Sequence, residues 1–274
     1  KSLSKSDSTY VSIAASLIRI GMKNGKASDD KTHIKYSINL KGSLPSSVKV
    51  FTNQSHVSEE LALSELINQT DSIIGNIVTF DRGLQSRKSF DKFTQDNKLF
   101  VTRANPNIKF KTIEEKEIPR TPEESSVIII SDTVGYLYDS KTNKTKYEYR
   151  VIKAIIKKSG EKIVFVSNML SENAYFIAQL YKKRWEIEVF FKYIKQHLNV
   201  SHLVSRNENV IKVMIYMTMI LATLTIVYKK KNNIRGFKIA KLKFSIELEN
   251  EIIKSIVILC GGNPDKAKHI LGGG

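Results

Sequence analysis

Four residues of the chain have the types and the spacing expected of a catalytic carboxylate with polar and basic residues beside it. Tyr181, Arg184, Glu188 and Lys195 follow one another at intervals of 3, 4 and 7 residues. An α-helix turns about 100° per residue, so these four side chains would share a narrow arc of one helix. A catalytic carboxylate needs a rigid element and supporting neighbours, and this arc would give Glu188 both. The same spacing also fits a solvated helix face on which Arg184 and Glu188 form an ordinary i, i+4 ion pair.

The helix that must position these residues is predicted over Ser171–Asn199. Five apolar residues occupy the arc beside the polar one, which indicates that one face of the helix packs on a core. These residues are Ile187, Phe190, Phe191, Ile194 and Leu198. The polar arc would then lie at the margin of the buried face.

Two aspartates, Asp7 and Asp81, could add their carboxylates to a site that contains Glu188. Asp81 comes directly after the apolar run Ile73–Phe80, which has the composition of a buried central strand. Asp7 is followed by Ser8 and Thr9, and its lead-in Lys1–Ser6 is mostly polar. The ends of strands and the face of a helix can converge, so wide separation in sequence does not prevent these carboxylates from sharing one site.

The order of predicted elements favours an α/β fold with a ribonuclease-H-like mixed-sheet core, a β-rich insertion before the long helix and a helical C-terminal region. We expect the first part of the core over residues 1–104, the insertion over 105–168, the rest of the core over 169–230 and the helical extension over 231–274. Strands are predicted at His33–Leu40, Val48–Thr52, Ile73–Phe80, Leu99–Arg103, Val127–Ile130, Val134–Tyr138, Tyr147–Ile156 and Lys162–Val166, and helices at Ser58–Gln69, Ser86–Asp96, Ser171–Asn199, Glu208–Lys230 and Ile246–Cys260.

The charge of the chain indicates a polyanion as partner. It has 44 lysine and arginine residues against 27 aspartate and glutamate residues, a formal net charge of +17. Nucleic acid is the first candidate, because neutralised phosphates release counterions. An anionic membrane surface and a basic protein without such a partner are the alternatives. Basic residues outside the motif that could track DNA are Lys192, Lys229, Lys230, Lys231, Arg235, Lys238 and Lys241.

Cysteine and histidine usage excludes several site classes. The single cysteine, Cys260, excludes an intramolecular disulfide framework and a cysteine-based zinc finger, and we expect it in the core. The histidines lack zinc-like spacing, which disfavours a zinc hydrolase. The run Val210–Tyr228 is near the minimum length for a membrane span, yet a buried core helix suits its lysine and threonines better. No secretory signal opens the chain, so we expect a cytoplasmic protein without membrane contact, and the missing initial Met suggests an absent N-terminal portion.

The full pattern Tyr-x2-Arg-x3-Glu-x6-Lys, present here as YKKRWEIEVFFKYIK, resembles the signature of DDE transposases of bacterial insertion sequences, in the insertion-sequence-four family. Asp81-Arg82-Gly83 resembles the second catalytic aspartate of that family with its neighbours, and Asp7-Ser8-Thr9 resembles the first. The resemblance extends from about Asp7 to Lys195. Asp29 and Asp30 are the alternatives for the first aspartate, although they lie in a polar, lysine-rich segment.

The resemblance implies that Asp7, Asp81 and Glu188 are catalytic and hold Mg²⁺, with Mn²⁺ as a substitute. Two divalent ions can activate the nucleophile and neutralise the leaving oxygen of a phosphoryl transfer, and hard cations prefer carboxylate oxygens. On this interpretation Asp7 bridges both ions, and the other two carboxylates each complete one.

The resemblance also implies DNA contacts around these carboxylates. Tyr181 and Arg184 would contact phosphates near the scissile bond, and Lys195 would hold the terminal phosphate or a flanking base region. The other expected DNA-binding residues are Arg82, Trp185 and Lys192. Trp185 could stack on an unpaired base, or could instead be a core or interface tryptophan. The implied partners are transposon-end DNA, target DNA and a second copy of the chain bound on DNA.

Three functions follow from these observations. The first is a transposase that cleaves transposon ends with a divalent metal and transfers the freed 3′ hydroxyl into target DNA. The second is a decayed or domesticated transposase that binds DNA without catalysis. The third is a host ribonuclease-H-like nuclease, which the Tyr-Arg-Glu-Lys pattern disfavours.

Overall fold

The computed structural model describes residues 2–14, 21–23, 31–69, 76–139, 143–198, 205 and 207–267. The strands are β1 (Ser2–Ala14), β2 (Met22–Lys23), β3 (Lys31–Lys41), β4 (Leu44–Phe51), β5 (Asn76–Phe80), β6 (Leu99–Ala104), β7 (Phe110–Glu115), β8 (Val127–Leu137), β9 (Tyr149–Ile156) and β10 (Lys162–Ser167). The helices are α1 (Glu59–Gln69), α2 (Arg87–Gln95), α3 (Ala174–Lys182), α4 (Trp185–His197), α5 (Glu208–Lys231) and α6 (Phe237–Leu259).

The strands of the described residues form one mixed sheet with the order β2-β3-β1-β5-β6-β10-β9-β8-β7, and β4 pairs with β3. β1, β5 and β6 are parallel to one another, whereas β1 and β3 are antiparallel. The strands of residues 105–168 continue this sheet, because β10 pairs with β6. The division of the chain at residues 104, 168 and 230 stays a prediction.

Helices cover both faces of the sheet because the central strands are apolar on both sides. In β5, Val78 and Phe80 pack with α1 and α2, while Ile77 packs on the other face with α3. On that second face, β1 and β3 also pack against α4 and α5. This burial on both faces explains why β5 carries apolar side chains on both sides, at Ile77, Val78 and Phe80. The candidate site lies where β1 and β5 meet these helices.

The helix predicted over Ser171–Asn199 is two helices, so that prediction is wrong. α3 ends at Lys182 and α4 begins at Trp185. Between them the bonds tighten to an i→i+3 pattern, since the Arg184 N–H donates to the carbonyl of Tyr181 and the Ile187 N–H donates to the carbonyl of Arg184. Tyr181 therefore lies on α3, whereas Glu188 and Lys195 lie on α4.

Several smaller predictions also need correction. The strands predicted at Val127–Ile130 and Val134–Tyr138 are one strand, β8, with an irregularity between Ile129 and Ser131. The spacing of Leu61, Leu63, Leu66 and Ile67 predicts one buried face for α1, but Leu61 is 50% exposed and Ala62 is buried instead.

The C-terminal helices bury less than their sequence suggests. Val210–Tyr228 was expected to be a buried core helix, yet only one face of α5 is buried, and Val213 and Met217 are exposed. By length and composition alone α5 could cross a membrane. α6 begins at Phe237 rather than Ile246, and Cys260 after it is exposed rather than in the core.

Candidate active site

The register of two parallel strands brings Asp7 and Asp81 to the same level of the sheet. Lys5 of β1 lies opposite Thr79 of β5, and each aspartate follows its strand residue by two positions. Neighbouring strands are about 4.8 Å apart. The mostly polar lead-in to Asp7 is therefore a strand that begins by Ser2, with Asp7 near its middle.

The turn after β5 fixes the side chain of Asp81. The backbone N–H of Gly83 donates to Asp81 Oδ1 at 2.6 Å. The hydroxyl of Thr102, on the adjacent strand β6, donates to the Asp81 carbonyl at 3.1 Å. Asp81 is thus held at the end of a central strand by its own turn and by the next strand.

Arg184 links Asp7 to Glu188. Its guanidinium lies 3.7 Å from Asp7 Oδ2 and forms an ion pair with Glu188 Oε1. The guanidinium also lies over the ring of Tyr181, 5.6 Å from its centroid. Burial lowers the pKa of Arg184, but Tyr181, Glu188 and Asp7 outweigh it and raise that pKa above its usual value. Arg184 is therefore a permanent cation among the carboxylates.

The surroundings of Asp7 disfavour its charged form. Burial, with the nearby carboxylates of Asp81 and Glu59, raises the pKa of Asp7 to about 7, against the opposing effects of the Ser8 N–H and Arg184. These interactions show that Asp7, Asp81 and Arg184 lie within one electrostatic neighbourhood.

Lys195 also reaches this neighbourhood. Its ammonium donates a hydrogen bond to the hydroxyl of Thr9, which follows Asp7 by two residues in β1. Alternate residues of a strand share a face, so Lys195 lies over the face that carries Asp7. Burial lowers the pKa of Lys195, and the Asp7 charge partly opposes that effect.

A cavity of 880 Å³ lies beside Glu188, within the range of about 300–1,000 Å³ that is usual for ligand-binding pockets. Apolar residues of its lining include Phe165, whose ring lies 5.3 Å from that of Tyr181. Trp185 lines the cavity and is 64% exposed, so it is not a core residue. The basic residues around the cavity are Arg103, Lys157, Lys158, Lys182 and Arg184.

The remaining residues predicted for the site are placed as follows. Arg82, in the turn after β5, and Lys192, on α4, are exposed. Asp29 and Asp30, the alternatives to Asp7, lie outside the described residues. The structure thus brings Asp7, Asp81, Tyr181, Arg184, Glu188 and Lys195 into neighbouring positions.

Sequence reasoning missed one carboxylate beside the site. Glu59, in the first turn of α1, raises the pKa of Asp7 by its charge, and Asp81 in turn raises the pKa of Glu59 in addition to the larger effect of burial. An acidic residue at the start of a helix is ordinarily explained by the helix dipole. No signal in the sequence separates Glu59 from that common role.

The donor set suits a hard divalent cation in kind, since Asp7, Asp81 and Glu188 offer only carboxylate oxygens. As the side chains stand, the described residues contain no group of three acidic, histidine or cysteine residues that could hold one ion. Arg184 supplies the positive charge between Asp7 and Glu188 instead. A cation held by these carboxylates would therefore require that Arg184 release Asp7 or Glu188.

Comparisons with known proteins point to one family. A family model described as a transposase DDE domain matches residues 7–224. The chain is 29% identical over 208 residues to a Geobacillus stearothermophilus protein named as a transposase for insertion sequence element IS5377, covering 75% of this chain and 51% of that protein. It is also 29% identical over 225 residues to a Synechocystis protein named as a transposase for element IS4SA, covering 78% of this chain and 56% of that protein.

The chain thus spans about half the length of these relatives. Among solved structures, the piggyBac transposase synaptic complex with hairpin DNA matches with a TM-score of 0.51 and 11% sequence identity. The match covers 94% of this chain and 54% of that one. At this identity the likeness concerns the fold alone.

Proposed function

This chain belongs to the transposase DDE-domain family, and from that premise we propose that it cleaves DNA at transposon ends and transfers the freed 3′ hydroxyl into target DNA. One observation carries the proposal. Asp7 and Asp81 end up side by side through the register of β1 and β5, and Arg184 ties Glu188 to Asp7. A phosphoryl transfer needs such a fixed group of carboxylates.

We further infer that the core is ribonuclease-H-like. The strand order β4-β3-β1-β5-β6 supports this inference, with an antiparallel meander on one side and the parallel strands β1, β5 and β6 on the other. In this arrangement the first aspartate lies within β1 and the second follows β5.

The cation proposed for the site is Mg²⁺, with Mn²⁺ as a substitute, and Asp7, Asp81 and Glu188 would hold it. When bound, it would neutralise charge on the oxygens that attack and leave the phosphorus. Arg184 would exchange its carboxylate partners for a DNA phosphate, which its planar guanidinium can bind in bidentate fashion. Lys195, held near Asp7 through Thr9, would contact the terminal phosphate.

The cavity beside Glu188 supports a role for Trp185 in holding an unpaired base. The exposed indole, beside the apolar residues that line the cavity, offers a stacking surface, and the basic residues of the same lining suit the phosphates on either side of the base. The proposed partners are therefore transposon-end DNA and target DNA, with a second copy of the chain on the DNA. Such a protein would act in the prokaryotic cytoplasm, on the nucleoid.

The test is strand cleavage by a Glu188→Gln variant, with duplexes taken from the sequences that flank the coding region. We expect Mg²⁺-dependent cleavage to fall to background while DNA affinity stays within about threefold of that of the parent chain. Glu251→Gln, on the exposed surface of α6, is the matched control and should cleave normally. Wild-type cleavage by Glu188→Gln would refute the proposal.

A decayed or domesticated, non-catalytic DNA-binding protein is the second candidate. The observation that favours it is Arg184, which already neutralises Asp7 and Glu188, so the basic surface could bind DNA with no cation present. DNA affinity without any cleavage in Mg²⁺ or Mn²⁺ would favour this function.

A further inference from the structure

Glu59 approaches the candidate site from α1, on the sheet face opposite α4. We propose that its carboxylate is a fourth oxygen donor to the divalent cation that Asp7, Asp81 and Glu188 would hold. The inference rests on the proposed function, since that function supplies the cation. Three observations place Glu59 there rather than on an ordinary solvated helix end.

Gly83 shows how closely Glu59 approaches Asp81. A Cβ atom added to Gly83 would lie 2.5 Å from Cδ and Oε2 of Glu59 and 3.0 Å from Oδ1 of Asp81. The backbone N–H of Gly83 already donates to that same Oδ1 atom. Both carboxylates therefore lie against one glycine, and a larger residue at position 83 would displace the flexible glutamate.

Hydrogen bonds tie the start of α1 to the strands of the site. The carbonyl of Val57 accepts from Nζ of Lys35 at 2.7 Å and from the hydroxyl of Tyr10 at 2.8 Å. Tyr10 lies on β1, the strand of Asp7, and Lys35 is its partner across the pair with β3. Val57 precedes Glu59 by two residues, so these bonds fix where α1 begins relative to Asp7.

The charges around Glu59 favour a bound cation. Lys35 is fully buried and attracts Glu59, but its ammonium donates to Val57 rather than to the carboxylate. Throughout the part of the chain that the structure describes, the Glu59 carboxylate makes no hydrogen bond or ion pair. A half-buried carboxylate without such a partner, beside Asp81, repels that neighbour unless a cation lies between them.

The direct test is Mn²⁺ binding to the metal-free chain, measured by calorimetry and by the electron paramagnetic resonance signal of free Mn²⁺. We expect Glu59→Gln to weaken Mn²⁺ binding by roughly tenfold or more, with unchanged circular dichroism. Glu60→Gln is the matched control, because it removes the same charge from the same helical turn, on the side near Arg87. Equal Mn²⁺ affinity in Glu59→Gln and Glu60→Gln would overturn the inference.

A second variant moves the carboxylate without removing its charge. Gly83→Ala should weaken Mn²⁺ binding in the parent chain, since the added methyl group occupies the place of the Glu59 carboxylate. In a Glu59→Ala background, Gly83→Ala should reduce the affinity for Mn²⁺ by a clearly smaller factor, because there is no glutamate side chain left to displace. Equal losses in both backgrounds would contradict a role for Glu59.

Asp81→Asn, measured in parallel, separates this inference from the proposed function. If Asp81→Asn loses Mn²⁺ binding while Glu59→Gln binds as the parent chain does, Glu59 is not a donor and the proposed function stands. If Asp81→Asn binds Mn²⁺ and cleaves DNA like the parent chain, both proposals fail.

Discussion

At the residue scale, the burial of Asp7 and the charges around it determine how the candidate site responds to protonation. Asp7 is mostly buried, with its side chain 14% exposed, and it lies near both Asp81 and Glu59. Its pKa of about 7 means that, without a cation, folding favours the protonated carboxyl. The site is thus destabilised at neutral pH, and a bound cation would remove that cost.

Asp7→Asn tests this view through stability. The folded pKa of Asp7 is raised above its ordinary value of 3.8, so the stabilising effect of its proton is lost as pH rises through about 7. Asparagine does not titrate, so the free energy of unfolding of the variant, relative to that of the parent chain, should rise by about 2–3 kcal/mol between pH 5 and pH 8. Chemical unfolding in EDTA at these pH values measures the difference, and a difference that stays constant with pH would contradict the argument.

Trp185 provides a second test at this scale, because it is the only tryptophan of the chain. An oligonucleotide with an unpaired base should quench its fluorescence, and a fully paired duplex of the same length should quench it less. Trp185→Ala should weaken binding of the unpaired oligonucleotide by about 1–3 kcal/mol. Equal quenching by the two DNAs would show that Trp185 does not bind an unpaired base.

Site residues that share a regular spacing can be predicted from the sequence, whereas a residue that joins the site only through a tertiary contact cannot. The sequence pattern could identify four site residues, because spacings of 3, 4 and 7 residues place side chains on one side of a helix. These residues are Tyr181, Arg184, Glu188 and Lys195. Glu59 could not be identified, since its approach to Asp81 depends on where α1 crosses the sheet. Cys260 was placed in the core because its neighbours are apolar, and it is exposed because α6 buries little of its surface.

At the element scale, a buried ion pair anchors the segment that leads to Tyr181. Arg150 of β9 donates from Nε to Asp132 of β8 at 2.7 Å, and its guanidinium also binds the carbonyl of Glu172. Asn173, the next residue, caps α3. The start of the helix that carries Tyr181 is thus attached to the sheet through one arginine.

Asp132→Asn should destabilise the fold by about 3–5 kcal/mol, because it leaves the buried guanidinium of Arg150 without its countercharge. Glu161→Gln, which breaks the exposed ion pair with Arg103, is the control and should have little effect. Urea unfolding of both variants measures this difference. Equal stability of the two variants would show that the buried pair does not anchor α3.

Elements with strong periodicity were predicted well, and their boundaries less so. The strand and helix that flank Asp81 lie within a few residues of their expected places, because Ser86 caps α2 and Ile73–Phe80 contains β5. The break between α3 and α4 could not be predicted, since no proline or glycine marks Lys183 and Arg184.

At the scale of the whole molecule, the net charge of +17 predicts salt-dependent DNA binding. The logarithm of the association constant should fall linearly with the logarithm of salt concentration, with a slope of about −0.9 per neutralised phosphate on duplex DNA. Lys195→Ala should make this slope shallower by about one. Fluorescence anisotropy from 50 to 300 mM NaCl provides the measurement, and an unchanged slope would remove Lys195 from the phosphate contacts.

The mixed α/β class could be predicted because strands precede helices and the central strands are apolar on both faces, whereas the ribonuclease-H-like core stays a proposal. The exposure of apolar side chains on α5 and α6 could not be predicted, because a sequence pattern indicates which residues are apolar but not which of them pack against another element. Exposed residues on α6 include Ile246, Ile252 and Leu259, the last at 86%.

The most direct test of a single catalytic centre is Mg²⁺-dependent strand cleavage by Asp7→Asn, Asp81→Asn and Glu188→Gln, with DNA affinity measured on the same preparations. We expect each variant to bind DNA like the parent chain and to cleave at background level, because the three carboxylates act as one unit. Wild-type cleavage by any one of the three would show that its carboxylate lies outside the centre and would contradict the account.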